Sequence, residues 1–236
     1  MVSRAEPILP AAPSLRGALR ASFADFYFNS VRLVAANLLW GLGLILLYVV
    51  ALTWPIGAIV LAPLLALPTV GIFRIAALIV RGEPVSFWDG LAAWRRFLGP
   101  TLAAGVAGVA AVIVFGSNLI SGLLSTEVVG WAFATFAAWA LAVTGMAAMA
   151  FWPLLVDPAR AAEPARRRSR LAGLLVVAFP VRFGALGIVL AAILVASTVA
   201  FAALVTISVA YCALVACRYV LPAADRLDAR PPMIGR

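Results

Sequence analysis

Residues 81–100 read RGEPVSFWDGLAAWRRFLGP and are the long charged interruption between apolar segments in the first half of the chain. Ser86 and Asp89 have the spacing of a helix-capping pair, in which the hydroxyl accepts the Asp89 amide and the carboxylate lies at the positive end of the helix. The pattern therefore predicts a helix over residues 87–98. Gly99 and Pro100 are expected to end it, because glycine often follows a helix and proline cannot continue one.

The predicted helix is amphipathic. Its apolar face carries Phe87, Leu91, Trp94 and Leu98. Asp89 and Arg96 lie on the opposite face, so we expect the helix to lie in the membrane interface with its apolar face toward the lipid. We interpret this helix as the candidate docking site for a partner. Its candidate docking residues are Asp89, Trp94, Arg95 and Arg96.

The composition is that of a membrane protein. Hydrophobic residues make up 65% of the 236 positions and charged residues 11%, whereas a soluble domain has about 25% charged residues. The net charge of +9 does not indicate nucleic-acid binding, because the arginines lie in short loops beside apolar segments. Membrane topology and anionic lipid account for arginines in such loops. We therefore expect the lipid bilayer as a partner, and no nucleic acid.

The sequence shows no catalytic or metal-binding constellation. It contains no histidine, the commonest metal ligand and general base. Cys212 and Cys217 lie on different faces of one apolar segment, and we interpret them as buried hydrophobic residues; a metal or redox pair is the alternative. The acidic residues fall in loops or near helix ends. We therefore predict no catalytic residue, metal or cofactor, and a protein that is not an enzyme.

Six apolar segments are long enough to cross a bilayer core, which needs about 20 residues per helix. They cover residues 31–53, 57–80, 101–121, 131–156, 183–199 and 202–220. The last two come from one apolar stretch that would be about twice the hydrocarbon thickness as a single helix, so we place a turn near residues 197–201. Amphipathic helices are predicted over residues 14–28, 87–98 and 164–178, each preceding one hairpin.

The two ends of the chain flank a single transmembrane domain, which we place at residues 14–222. Residues 1–13 carry three prolines and no periodicity, and are predicted to be a disordered leader. A mitochondrial transit peptide is the alternative for this start. Residues 223–236 are predicted to be a cytoplasmic tail.

The distribution of arginine predicts the orientation. The N-terminus, the segment after Arg81, the region from Arg160 to Arg182 and the C-terminus are basic, whereas the Trp54 turn and the Glu127 linker are not. Cytoplasmic loops carry the excess of positive charge, so six spans place every basic segment and both termini in the cytoplasm. We predict an all-α polytopic protein of the bacterial cytoplasmic membrane, with three transmembrane hairpins and its interfacial helices on the cytoplasmic side. The threefold pattern is either a true duplication or a consequence of topology alone.

Three polar side chains inside the predicted spans are further candidates. Asn37 and Asn118 are expected to form hydrogen bonds between helices, with solute binding as the alternative. Arg74 lies seven residues before Arg81, or about 10 Å deeper along a helix, within reach of the interface. We expect Arg74 to extend to the cytoplasmic interface; contact with an anionic substrate or a partner helix is the alternative.

Several segments together resemble the YesL-like family of bacterial membrane proteins. They are NLLW at residues 37–40, the proline-bearing second span, LIVRGEPVSFWD at residues 78–89 and WRRF at residues 94–97. The similarity covers about residues 20–120, and beyond them it rests on the helix pattern and on Phe179-Pro180. The resemblance implies an integral membrane protein that is in some cases associated with carbohydrate ABC uptake, and it transfers no catalytic residue.

The same segment also resembles the cytoplasmic coupling loop of ABC importer permeases, through Asp89-Gly90, residues 94–97 and Pro100. The glutamate-alanine-alanine start of that loop is missing here. The predicted function is an accessory or regulatory membrane protein of a transport system, with ABC transporter subunits or other membrane proteins as partners. A permease subunit or a small-solute transporter is the alternative, and a membrane-embedded enzyme is the third class considered.

Overall fold

The computed structural model describes residues 14–228, and this part of the chain contains helices and no strand. The predicted leader and the last residues of the predicted tail, 229–236, lie outside the described residues. The helices are α1 (Leu15–Phe28), α2 (Ser30–Thr53), α3 (Pro55–Arg81), α4 (Phe87–Arg96), α5 (Leu98–Leu123), α6 (Val128–Val156), α7 (Ala165–Ala178), α8 (Pro180–Val199) and α9 (Phe201–Asp228).

Six of these helices, α2, α3, α5, α6, α8 and α9, are long and apolar enough to span a bilayer. The predicted all-α polytopic fold with six spans is therefore confirmed. The turn between the last two spans falls at Ala200, within the predicted window. The last span continues as helix to Asp228, well into the segment predicted as a tail.

The three short helices α1, α4 and α7, which we call the interfacial helices, each join the next span through one residue that leaves the helical conformation. These joint residues are Asn29, Phe97 and Phe179, with φ between −114° and −133°. In each case the joint amide donates to the carbonyl four residues earlier, and the joint carbonyl accepts from the amide four residues later. Residues 14–228 thus form three similar units, each an interfacial helix followed by a hairpin.

The joint at Phe97 corrects the predicted end of the central helix. α4 ends at Arg96, and Leu98 already belongs to the following span. Gly99 and Pro100 do not stop a helix but lie in the first turn of α5. Proline fits there because amides in the first turn have no acceptor within the helix.

The second span of each hairpin lies at the centre. α3, α6 and α9 contact one another in all three pairings, and α9 contributes fully buried residues such as Leu214 and Leu221. The first spans, α2, α5 and α8, lie outside. α5 is the most exposed of them, with Thr101 and Gly122 as its buried residues. Exposed apolar side chains on these spans are expected to face lipid.

The packing between units follows a cyclic order. α4 packs on α3, α7 packs on α6, and α1 packs on α9, so every interfacial helix contacts the inner helix of the preceding unit. The outer spans follow the same rule, because α5 contacts α3, α8 contacts α6 and α2 contacts α9. The described chain is therefore a ring of three interlocked units around a three-helix centre.

The described arginines all lie toward one side of the bundle, which we call the arginine side. It contains the interfacial helices and the C-terminal ends of the inner helices. Tyr211 donates to the Leu19 carbonyl at 3.1 Å and Arg218 pairs with Asp25, so α1 lies against α9 on this side. The opposite turns carry one charged residue, Glu127. Both ends of the described chain thus lie on the same side.

Candidate functional site

Five charged side chains form an ion cluster where the inner helices end on the arginine side. Arg81, the last residue of α3, donates to Asp157 from Nε at 2.9 Å and from Nη2 at 2.6 Å. Its Nη1 donates to Asp225 of α9 at 2.7 Å. Arg160 pairs with Asp157 at 2.5 Å, and with Asp225 and Asp228 at 2.8 Å each. The cluster therefore links all three units.

The ion pairs at the centre of this cluster are buried, so water screens them little. The Asp157 side chain is fully buried and the Arg160 side chain is 5% exposed, whereas Asp225 is 44% exposed. Burial by itself would lower the pKa of Arg160, but hydrogen bonds to Asp228, Asp157 and Asp225 outweigh it and raise this pKa. Arg160 is therefore held in its charged form. The arrangement fastens the inner helices together on the arginine side.

The C-terminal end of α6 is capped by two further arginines. Arg74 donates from Nη1 to the Val156 carbonyl at 2.7 Å, and Arg168 donates from Nη1 to the Leu155 carbonyl. Arg168 also donates twice to the Glu163 carbonyl. Cations at this position satisfy orphan carbonyls and complement the helix dipole. Arg74 thus bonds to the neighbouring helix α6, and its extension to the interface stays a prediction.

Asn37 lies inside the membrane domain and bonds to a distorted part of α9. Its amide donates to the carbonyls of Leu204 at 2.9 Å and Val205 at 2.7 Å, and its oxygen accepts from the Ala210 amide at 2.7 Å. α9 is π-helical over Leu204–Ser208, a form that frees backbone groups. Asn37 supplies their missing partners. The interhelical bond expected of Asn37 is therefore present.

Asn118 behaves differently. Its amide donates to the Val114 carbonyl of its own helix at 2.6 Å, and the residue is exposed. The interhelical bond expected of Asn118 is absent from the described residues, because its face of α5 has no neighbouring helix in contact. The two asparagines look alike in the sequence and differ in their packing.

α4 is fixed tightly to α3. A Cβ atom on Gly71 would lie 2.9 Å from the Gly90 carbonyl oxygen, so the two backbones touch. The helix begins with the predicted Ser86–Asp89 pair: the Ser86 amide donates to Asp89 Oδ2 at 2.7 Å, and Ser86 Oγ accepts the Trp88 amide at 3.3 Å. α4 is therefore a rigid part of the fold.

The outer edge of α4 is made of Trp88, Arg95 and Arg96. Trp88 is 71% exposed and both arginines are exposed. Trp94, which the sequence analysis included among the docking candidates, is half-buried and packs against the core. Asp89 is also half-buried at the capped end. The exposed aromatic side chain of α4 is thus Trp88, which sequence reasoning missed because it falls outside the apolar stripe.

Sequence reasoning also missed the ion cluster. Arg81 and Asp157 were visible as charged ends of apolar segments, but their pairing depends on how the hairpins pack. The one available signal is position, since Arg81, Asp157 and Asp225 each lie at or near the end of an inner helix.

Cys212 and Cys217 are both buried and form no disulfide. Within residues 14–228, no group of three or more Cys, Asp or Glu residues is arranged to hold a metal ion.

Comparison with known proteins gives no match. No family model, no curated protein and no solved structure matches this chain.

Proposed function

We propose that this chain is a non-enzymatic membrane protein that acts as an accessory or regulatory component of a membrane transport system. In this proposal α4 is the docking element, and its exposed edge binds a partner on the cytoplasmic side. The main support for this proposal is that α4 is fixed to α3 by backbone contact while Trp88 and Arg95 remain exposed. The resemblance to YesL-like proteins is the reason for choosing transport, with carbohydrate ABC uptake as the specific expectation.

The rigidity of α4 favours recognition over a flexible anchor. Binding costs less when the interface element is already ordered, and tryptophan and arginine are enriched among residues that dominate binding energy. Trp88 and Arg95 are presented by a helix that has a capping box at its start and close glycine contacts beneath it. An interfacial tryptophan can also serve as a lipid anchor. The experiment below separates the two roles.

A small-solute transporter or permease subunit is the second candidate. It is favoured by two departures from α-helical geometry in the inner helices, a 3₁₀ turn at Ala62–Leu65 in α3 and the π-helical Leu204–Ser208 in α9. Transporters commonly use interrupted helices near the middle of the membrane. Flux of candidate solutes into liposomes containing only this chain would support this candidate against the accessory role.

Crosslinking in native membranes tests the docking proposal. A photoreactive residue replaces Ala92, an exposed position of α4, and a second version carries it at Val177, an exposed position of α7, as the matched control. We expect a discrete adduct with a transport-system subunit from position 92 that is lost on Trp88→Ala or Arg95→Glu and retained on Arg16→Glu in α1. Adducts to lipid alone, or a protein adduct insensitive to both α4 changes, would reject the docking role.

A further inference from the structure

Two arginines lie over the Phe97 ring on the arginine side, and a third, Arg74, bonds to the helix end beside them. The guanidinium carbons of Arg96 and Arg168 lie 5.5 Å and 5.7 Å from the centre of the Phe97 ring. Arg74 and Arg168 donate to the adjacent carbonyls of Val156 and Leu155, so their guanidinium groups are neighbours as well. We call Arg74, Arg96 and Arg168 the arginine triad.

The arginine triad lacks paired carboxylates. Among the described residues, no carboxylate lies within ion-pair distance of any of its members. Burial lowers the pKa of Arg168, whereas Glu163 and Asp157 act in the opposite direction, and the neighbouring charge of Arg96 lowers this pKa further. Arg96 is exposed, and its guanidinium donates no hydrogen bond to residues 14–228. The triad is thus a site of excess positive charge with one guanidinium available to an anion.

An apolar groove begins next to the triad. It lies between α5, α6 and α7 and has a volume of about 500 Å³. Its walls include Gly108, Thr144, Trp152 and Ser169. Trp152 is one helical turn from Leu155, and Ser169 follows Arg168, so the groove starts at the level of the triad. From Trp152 to Thr144 it follows α6 for about 12 Å toward the membrane interior.

The two hydroxyl groups that line the groove already donate within their own helices. Thr144 and Ser169 donate their hydroxyls to carbonyls of their own helices, those of Ala140 and Ala165. The remaining wall is formed by alanine, glycine, valine and aromatic residues, and Gly108 has open space where a side chain would be. This mostly apolar surface suits a hydrocarbon chain better than a soluble polar solute.

We propose that this chain binds an anionic phospholipid at this place, with the phosphate at Arg96 and an acyl chain in the groove. The proposal combines two adjoining features, a cluster of arginines without an ion-paired carboxylate and an apolar channel that continues from it into the membrane. A free anion would use the first feature alone. A second copy of the chain would use the groove alone.

Lipid-dependent stability tests the proposal on the full chain in detergent micelles. The melting temperature is measured with added phosphatidylglycerol, with phosphatidylcholine of the same acyl chains, and with inorganic phosphate. We expect saturable stabilisation by phosphatidylglycerol and none by the other two. Arg96→Gln should weaken the apparent affinity about fivefold, the value expected from one arginine near an anionic surface. Arg95→Gln, the neighbouring exposed arginine, should leave it unchanged.

A second pair of variants tests the groove. Gly108→Leu should fill the groove and abolish the phosphatidylglycerol effect, whereas Gly116→Leu on the same helix, which also has open space around it, should not. Equal stabilisation by inorganic phosphate, or equal effects of the Arg96 and Arg95 changes, would overturn the proposal. A change of oligomeric state on Gly108→Leu without loss of the lipid effect would assign the groove to a second copy instead. If Gly108→Leu does not fold, the Arg96 and Arg95 pair decides.

The outcome is independent of partner docking. Arg95 belongs to the proposed docking edge and serves here as the control, so loss of the lipid effect and loss of the α4 adduct would appear in different variants.

Discussion

Arg81 and Asp157 are 76 positions apart in the chain and form a bidentate ion pair, in which the shorter distance, from Nη2 to Oδ2, is 2.6 Å. Asp157 also pairs with Arg160, and both arginines extend to Asp225 of the third unit. The cluster therefore joins three hairpins by polar contacts, in addition to the apolar packing between their helices. Because lipid is as apolar as the helix surfaces, polar contacts and close fit carry much of the specificity of helix association in membranes.

Asp157→Asn should destabilise the fold strongly. The change leaves Arg81 and the nearly buried Arg160 without their central carboxylate, and removing one member of a buried ion pair costs about 3–5 kcal/mol. Asp225→Asn should cost clearly less, because Asp225 is 44% exposed and water can replace part of the interaction. Unfolding in mixed micelles, followed by circular dichroism, compares the two. Equal losses would show that burial does not set the strength of the cluster.

Asn37→Leu should cost about 2 kcal/mol. It removes three hydrogen bonds and leaves backbone groups of the π-helical segment without partners in an apolar environment. Asn118→Leu is the matched control and should be close to neutral, since its amide bonds within its own exposed helix. The free energies of unfolding of both variants provide the measurement. A neutral Asn37→Leu would mean that α9 relaxes to regular helix when the amide is removed.

The sequence was sufficient for what depends on local pattern. Hydropathy and arginine bias predicted six spans, and the capping pair at Ser86 and Asp89 placed the start of α4 correctly. The end of α4 was misplaced because Gly99-Pro100 is compatible with either stopping one helix or starting the next. Phe97, the residue that breaks the helix, carries no conformational signal of its own.

What depends on tertiary packing could not be predicted. The bond between Asn37 and Leu204 spans 167 positions, and the composition of neither segment predicts a π-helical turn. The cyclic order of the units likewise requires knowing that the second span of each hairpin is the inner one. Trp88 was overlooked because amphipathic periodicity directs attention to the buried face, while docking depends on the exposed one.

Gly105→Ala should destabilise the contact between the first two units. A Cβ at this position would lie 2.7 Å from the Pro63 carbonyl oxygen and 3.0 Å from the Ala66 Cβ, so α5 has to move away from α3. Such overpacking costs about 1–3 kcal/mol. Gly108→Ala, three residues later, meets no atom within 4 Å and should instead stabilise by up to about 1 kcal/mol through helix propensity. Melting curves of the two variants measure both changes in stability. A destabilising Gly108→Ala would contradict the packing of α5.

Single-cysteine labelling tests the orientation of the arginine side. The sequence contains two cysteines, Cys212 and Cys217, and both are buried. Replacing both by alanine gives a background without thiols. Arg166→Cys then places a thiol on the exposed face of α7, and Glu127→Cys places one on the opposite turn. Because positively charged segments are retained in the cytoplasm, we expect a membrane-impermeant maleimide to label position 127 in intact cells and position 166 only after the membrane is permeabilised.

Positions 127 and 166 control for each other because the predicted orientation gives them opposite results, and labelling after permeabilisation shows that the thiol of each variant is reactive. Labelling of position 166 in intact cells, with position 127 protected until permeabilisation, would invert the orientation. The interfacial helices, the ion cluster and the exposed edge of α4 would then face away from the cytoplasm. A cytoplasmic partner for α4 would be excluded by the same result, because Trp88 and Arg95 lie on the same side of the bundle as Arg166.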